Sequence, residues 1–218
     1  HTLNHTQLFN RSNYGHNQGK PMTNFYTRPG DTGSWGDDPE NYQLKHYTNG
    51  VAQAKKRRTV IDCGAHIGIF TRRFARDFEN VIAVEPTNGD YLKRNTQHLN
   101  NVTRVYSALS NREGSAWLTT HDQMSSGEWS VVDYPTEWPC AVTTIDLLGA
   151  SEVDYIKVDT QALEREVLEG GKETILTWRP VIHVETRDKQ LLKWIETEFD
   201  YVWTSKYIKD HILLPREK

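Results

Sequence analysis

Thr59-Val-Ile-Asp-Cys-Gly-Ala-His-Ile-Gly68 is the stretch that decides the fold of this chain. Val60 and Ile61 are β-branched and apolar, as a buried central strand requires. Asp62 closes that strand. Gly64 and Gly68 then punctuate a turn, and Ile69, Phe70, Phe74 and Ala75 recur behind it at helical spacing. Strand, glycine-bearing turn and helix make the first half of a nucleotide-binding βαβ unit, with Gly64 free to let backbone or ligand come close. Asn80-Val-Ile-Ala-Val-Glu85 is the second half, another short apolar strand that ends in a carboxylate. Glu85 falls roughly 20 residues past the turn, where an acid can hold both hydroxyls of a ribose.

The nature of the nucleotide follows from charge. A dinucleotide turn must approach a pyrophosphate, and Asp62 would repel one. It suits a ligand carrying an ammonium and a sulfonium, so the expected cofactor is S-adenosylmethionine. The middle glycine of G-x-G-x-x-G is also absent, because position 66 is His. A glycine pair alone is common; its setting between Asp62 and Glu85 gives it meaning. The bland alternative is a core strand with incidental glycines.

The rest of the chain alternates in the same way. Tyr42 to Lys56 predicts a helix ending in the basic run Lys55-Lys-Arg-Arg58, read as a solvated face. Asp90 to Leu99 predicts a helix with Tyr91, Leu92 and Leu99 inward. Val102 to Leu109 predicts a third strand, and Ser115 to Thr120 an added hairpin strand. Val142 to Ile145 reads as a short strand, with Asp146 as a cap for the turn at 147–149. Val153-Asp-Tyr-Ile-Lys-Val-Asp159 is a clear strand. Gln161 to Trp178 is amphipathic and interrupted at Gly170-Gly171. Pro180 stops it before the strand Val181-Ile-His-Val-Glu185. Lys189 to Phe199 is the last helix, and Tyr201 to Ser205 with His211 to Leu214 predicts a closing hairpin. The expectation is an α/β doubly wound sheet of about seven strands with an antiparallel last strand, the Rossmann-like class I methyltransferase arrangement. Residues 51–218 would form that domain, and residues 1–50 an irregular arm plus the first helix.

Four predicted strands end in acids: Asp62, Glu85, Asp159 and Glu185. In a parallel sheet their ends share one edge, where ligands bind. Clustered carboxylates shift one another's proton affinity, which makes them candidates for base work. Asp62 and Glu85 are assigned to the cofactor. Asp159 is the first candidate base for a hydroxyl acceptor and Glu185 the second. His183 reads as a satisfied core histidine, and Lys157 as a charge partner for either acid.

Two segments lack periodicity. Residues 1 to about 40 are rich in turn formers, and Phe25, Tyr26, Trp35 and the adjoining Tyr42 are more aromatics than a solvated tail needs. They read either as a mobile arm or as one that closes over the ligand or pairs subunits in a homo-oligomer. His121 to Cys140, with Met124, Trp129, Tyr134 and Trp138, reads as a long loop forming a substrate-side flap. The net charge of −3 argues against a generally basic nucleic-acid binder. Cys63 and Cys140 lack metal-ligand spacing, so no metal is expected, and two thiols fit a reducing, cytoplasmic setting. There is no signal-peptide pattern and no apolar run of membrane-spanning length. The first residue is His rather than Met, which reads as a trimmed chain, and the three glycosylation sequons (at Asn4, Asn10 and Asn101) read as chance matches.

An ordered series of segments resembles the FkbM-type S-adenosylmethionine-dependent methyltransferases. The segments are 60–71, Val-Ile-Ala-Val-Glu-Pro (81–86), Tyr-Ser-Ala-Leu-Ser (106–110), Thr-Thr-Ile-Asp (143–146), 154–171 and Pro-Val-Ile-His-Val-Glu (180–185). The resemblance spans roughly residues 50 to 205. It implies the class I fold and methylation, usually at oxygen, of sugars, glycans, polyketides or other small metabolites. It implies that Asp62, Gly64 and Gly68, with Cys63, Ala65 and His66 in the same turn, line the methionine side of the cofactor. Glu85, with Pro86 after it, would hold the ribose, Ser107 and Ala108 would lie near the adenine, and Asp159 would close the site. One departure stands out. Where the family usually reads Asp-Val-Glu-Gly-Ala-Glu, this chain has Asp159-Thr-Gln-Ala-Leu-Glu164, which exchanges a carboxylate for Gln161 and a glycine for Ala162. Two other functions remain open at this level. One is an RNA ribose methyltransferase, drafting Lys45, Lys55 or Lys172. The other is a binding or assembly protein that keeps the fold without turnover.

Overall fold

The computed structural model describes residues 25–31, 38–120, 126–127, 129–204 and 208–217. The expectations placed on residues 1–24, Trp35, Met124 and Ser205 lie outside the described residues. Among the described ones, no helix is long and apolar enough to cross a membrane.

The decisive stretch forms β1 (Thr59–Cys63), buried at every position. It is flanked by β2 (Asn80–Val84) on one side and β8 (Val153–Val158) on the other, both parallel to it. β3 (Val102–Val105) lies outside β2, and β9 (Val181–Glu185) outside β8. β11 (Asp210–Pro215) runs antiparallel beside β9, with β10 (Tyr201–Trp203) on the far edge. The order β3-β2-β1-β8-β9-β11-β10, with its one reversed strand next to last, is that of a class I methyltransferase.

Strand alternation builds two apolar layers. Val60, Tyr155, Val181 and Ile212 face α1 (Leu44–Val51) and α2 (Ile69–Asp77), packing on Phe70, Phe74 and Phe78. Ile61, Ile156, Val158, Ile182 and Val184 face the opposite layer. α3 (Gly89–Thr96) adds Leu92 to the first layer, and the opposite layer contains α4 (Glu164–Glu169), α5 (Lys172–Trp178) and α6 (Lys189–Glu198). The same parity puts a polar row into the first layer. Asp62 registers with Lys157, and Lys157 with His183, across three adjacent strands.

Several predicted elements change. The first helix is shorter than residues 42–56, and the basic run follows it. Arg58 leaves solvent to clasp Asp154, Nη2 to Oδ1 at 2.6 Å, and Glu152. The expected strand 102–109 breaks at Tyr106-Ser107. Its tail, β4 (Ala108–Leu109), joins a second sheet, in the order β4, β7 (Trp138–Thr143), β5 (Gly114–Thr120), β6 (Trp129–Val132). In that sheet β5 pairs antiparallel with β6 and β7. Residues 129–132 and 138–140 of the predicted loop 121–140 are therefore strand, and of the predicted strand 142–145 Val142 and Thr143 form the end of β7 while 144–145 lie outside it. Pro139 hides β7 in the sequence. It is tolerated because two-residue β4 pairs only with Val142 and Thr143, leaving that side of Pro139 open. The 161–178 helix divides at Gly170-Gly171. A Cβ on Gly170 would stand 2.1 Å from the Ser110 carbonyl oxygen, so a glycine is required there. Asp146 does cap a helix, but not its own turn. It accepts from the Glu173 and Thr174 backbone N–H groups at the start of α5.

Candidate active site

The carboxyl ends of β1, β2, β8 and β9 open on a cavity of about 420 Å³. Gly64 joins two of those ends. The Cys63 carbonyl accepts from Asp159 N–H at 3.0 Å, and Gly64 and Ala65 both donate to the Val84 carbonyl. Gly64 has φ +79°, and a Cβ there would lie 1.9 Å from the Asp159 carbonyl oxygen. Glycine is therefore required by the closeness of β8 as well as by the turn.

At one end of the cavity stands Glu85. Its Oε1 accepts from the backbone N–H groups of Thr87 and Asn88, at 2.8 and 2.9 Å, and from the Thr87 hydroxyl. Its Oε2 accepts only the His66 backbone N–H, at 2.9 Å, among the described residues. Nearby, Ser107 Oγ and Asn88 Oδ1 line the cavity buried and without hydrogen-bond partners among the described residues. His66 sits at φ +54°, and its Nε2 meets Ser126 Oγ at 2.7 Å. Ser126 in turn donates to the Asp31 carboxylate, so an N-terminal segment reaches the rim. Burial pushes the His66 imidazole below its usual range, with Glu85 and Asp31 pulling the other way.

At the other end stand Asp159 and Glu185. Asp159 Oδ2 accepts from Lys157 Nζ at 3.0 Å, and Glu185 accepts from Lys209 and, at 3.4 Å, from Gln43 Nε2. Lys157 is buried, with its ammonium 4.8 Å from the Phe70 ring centre. Burial works against that charge. Asp159 and Asp62 outweigh burial and raise the lysine, so it stays protonated.

Of the residues expected at the site, Gly64, Ala65, His66, Glu85, Pro86, Ser107, Ala108, Asp159 and Glu185 line the cavity. Asp62, Cys63 and Gly68 do not. Asp62 is fully buried; its Oδ2 accepts from the Thr71 hydroxyl at 2.6 Å, and its Oδ1 has no hydrogen-bond partner among the described residues. Burial raises its carboxyl above the usual range, partly countered by Lys157. Strand parity explains the setback, since Asp62 lies within β1 rather than beyond its tip. Cys63 packs in the α4–α6 layer, and burial raises its thiol too. Gly68 is the left-handed cap of α2. His183 is a core residue, its Nδ1 3.0 Å from the Tyr155 hydroxyl and its Nε2 3.5 Å from Asp210.

Residues 62–208 match the methyltransferase FkbM domain, which covers more than half of the chain. The chain belongs to the FkbM methyltransferase family. Similar solved structures include the FkbM methyltransferase of Methylobacillus flagellatus KT, at 19% identity and a TM-score of 0.53. That match covers 72% of this chain but only 43% of the other, so this chain spans under half of that relative's length. An uncharacterized protein of Listeria monocytogenes serotype 4b matches at 14% identity and TM-score 0.50, over 80% of this chain and 68% of that one. Precorrin 8w decarboxylase of Methanobacterium thermoautotrophicum matches at 12% and 0.50, over 89% and 97%. At such identities the likeness is one of fold. No curated protein matches the chain significantly.

The FkbM departure at Gln161-Ala162 is visible in the backbone. Both residues have positive φ, 52° and 73°, so two side-chain-bearing residues in succession take the left-handed conformation. Glu164 braces the turn by accepting from Thr160 and Ala162 N–H, at 3.3 and 3.1 Å. Sequence reasoning missed Lys209 and Ser126 as cavity residues, while Tyr42, grouped with the aromatics of the N-terminal arm, does line the cavity. Lys209 had a legible signal, since it immediately precedes the strand that pairs with Glu185. Ser126 had none, because its place depends on the second sheet. The lysines named for a ribose methyltransferase lie elsewhere. Lys55 pairs with Glu217 and Lys172 with Glu198, and Lys45 does not line the cavity.

Proposed function

We propose that this protein is an S-adenosylmethionine-dependent O-methyltransferase acting on a hydroxyl of a saccharide, glycan or small hydroxylated metabolite. The observation that carries the reading is the two-ended cavity: Glu85 with unpartnered acceptors and donors at one end, and two carboxylates at the other, on one sheet edge. The residues present fit the cofactor. Glu85 Oε2 has capacity left for ribose hydroxyls, and Ser107 Oγ is a ready partner for a base edge. The Gly64–His66 turn lets the methionyl part pass close to the backbone. Asp62 lies behind the wall, its raised carboxyl countered by Lys157.

When bound, the cofactor supplies an activated methyl group and its own leaving group. The protein has to place the acceptor oxygen and take its proton. Asp159 is the proposed base. Lys157 fixes one of its oxygens, and the other faces a site partly open to solvent. Glu185, held by Lys209 and Gln43, is placed to orient the acceptor.

Titration calorimetry and labelled methyl transfer test the reading together. S-adenosylmethionine should bind, and Glu85→Ala should weaken it by roughly tenfold or more, the loss of hydrogen bonds to a charged group. Asp159→Asn should keep binding and lower transfer by about 10²–10⁴. An intact chain that does not bind the cofactor overturns the proposal; undiminished transfer by Asp159→Asn removes Asp159 from the role of base.

A further inference from the structure

A second cavity, of about 510 Å³, opens beside the first. The two share Asp159, Gln161, Glu185 and Lys209, so a group seated in the second reaches the proposed base in the first. Its wall is polar. Ala162 and Leu191 are its apolar side chains among the described residues.

What such a wall can hold depends on which polar groups are already committed. Its carboxylates are. Asp159 accepts from Lys157 and Glu185 from Lys209. Glu164 accepts the turn's N–H groups, and Asp188 caps α6 by accepting from Gln190 N–H at 2.7 Å. Two of its cations are committed as well. Lys209 is on Glu185, and Arg165 pairs with Glu169 at 3.0 Å while lying 4.8 Å over the Trp194 ring. Arg187 remains. It is exposed on the cavity wall and has no ion pair or hydrogen bond among the described residues. Beside it, the side-chain amides of Gln161 and Gln190 are also uncommitted among the described residues, and neither brings a charge. A guanidinium fork next to neutral amides, with every carboxylate engaged, favours an oxyanion over a cation.

We propose that this second cavity is the acceptor subsite, and that it takes a hydroxylated acceptor bearing a carboxylate or a phosphate, held on Arg187 with its hydroxyl presented to Asp159. This rests on the methyl transfer proposed above and leaves its balance unchanged: the acceptor oxygen gains the carbon, the sulfur–carbon bond breaks, and the hydroxyl proton goes to Asp159. A uronic acid and a sugar phosphate both satisfy the chemistry.

The test is calorimetry on the full chain saturated with S-adenosylhomocysteine, titrated with glucuronate, glucose 6-phosphate and glucose. One or both anions should bind, at least tenfold tighter than glucose, and the stronger one identifies the oxyanion. Arg187→Ala should weaken the anion roughly ten- to a hundredfold, while S-adenosylhomocysteine affinity holds and Arg187→Lys restores part of the loss. Equal affinity for glucose and the anions overturns the proposal, as does binding of neither anion or indifference to Arg187→Ala. Failure of S-adenosylhomocysteine itself to bind would strike the cofactor reading instead, so the two failures are distinguishable.

Discussion

The two ends of the cavity are built from different materials. Around Glu85 the groups that fix the carboxylate are largely backbone N–H, from His66, Thr87 and Asn88. Around Asp159 and Glu185 they are the tips of long side chains: Lys157, Lys209 and Gln43. Backbone donors cannot be changed without changing the turn, whereas side-chain partners can be exchanged one residue at a time. That is the arrangement expected of a protein whose cofactor is constant and whose acceptor varies across a family. On the proposed reading, the Gln161-Ala162 departure falls at the acceptor end.

One large break in this contrast should come where the two ends meet. Gly64→Ala puts a Cβ against the Asp159 carbonyl at a left-handed position. Conformational cost of about 1–2 kcal/mol and overpacking of about 1–3 kcal/mol add to a loss of about 2–5 kcal/mol in urea unfolding. Gly127→Ala is the control. Gly127 also lines the cavity, yet an added Cβ meets nothing within 4 Å. Equal stability of both variants would show that the β1–β8 junction yields, and that the cofactor end is less rigid than its hydrogen bonds imply.

That junction was legible, and the reason it was legible also marks where legibility ends. Gly64, Glu85 and Asp159 are read by short-range rules: a glycine needed at a turn, and acids beyond parallel strands. The same rules put Asp62 at the wall, but being one residue short of the tip turns its side chain into the α1–α2 layer beside Lys157. The second sheet was only partly legible. Ser115 to Thr120 announced a strand, while β6 and β7 were hidden by Pro139 and by a segment rich in turn formers. Their existence depends on pairing with β5, which no local pattern encodes. Arg187 was silent for a different reason. A charged residue beside a strand looks alike whether it faces bulk solvent or a shared cavity.

A second break, at the acceptor end, is Lys157→Met. It keeps the side-chain bulk and leaves the fully buried Asp62 without its nearest opposite charge. Removing one partner from a buried pair costs about 3–5 kcal/mol. The deficit should depend on pH in a defined direction. Asp62 already has its carboxyl raised by burial, and the variant raises it further. A raised acid stabilises when protonated, so the deficit fades at acidic pH and grows as pH rises through the folded-state value. Unfolding midpoints of the variant and the parent should therefore converge as pH falls. A pH-independent gap would mean that Lys157 acts by packing on Phe70 rather than by charge.

The smallest and sharpest comparison is Ala162→Gly, which restores the residue the FkbM pattern usually has there. Relieving a left-handed alanine returns about 1–2 kcal/mol, and the added freedom of glycine in the unfolded chain takes back about 0.5–1 kcal/mol. The middles of those ranges leave a net gain of about 0.75 kcal/mol, seen as a melting midpoint higher by about 2–3 °C. Cofactor affinity should not move, because the Glu85 end shares no hydrogen bond with this turn among the described residues. If stability instead stays level, the turn is held by Glu164, whose carboxylate accepts from Thr160 and Ala162 N–H. Glu164→Gln, which leaves an acceptor oxygen but removes the charge, would then be the more damaging change at the acceptor end. In that case the left-handed pair at 161 and 162 is carried by one carboxylate rather than tolerated as strain.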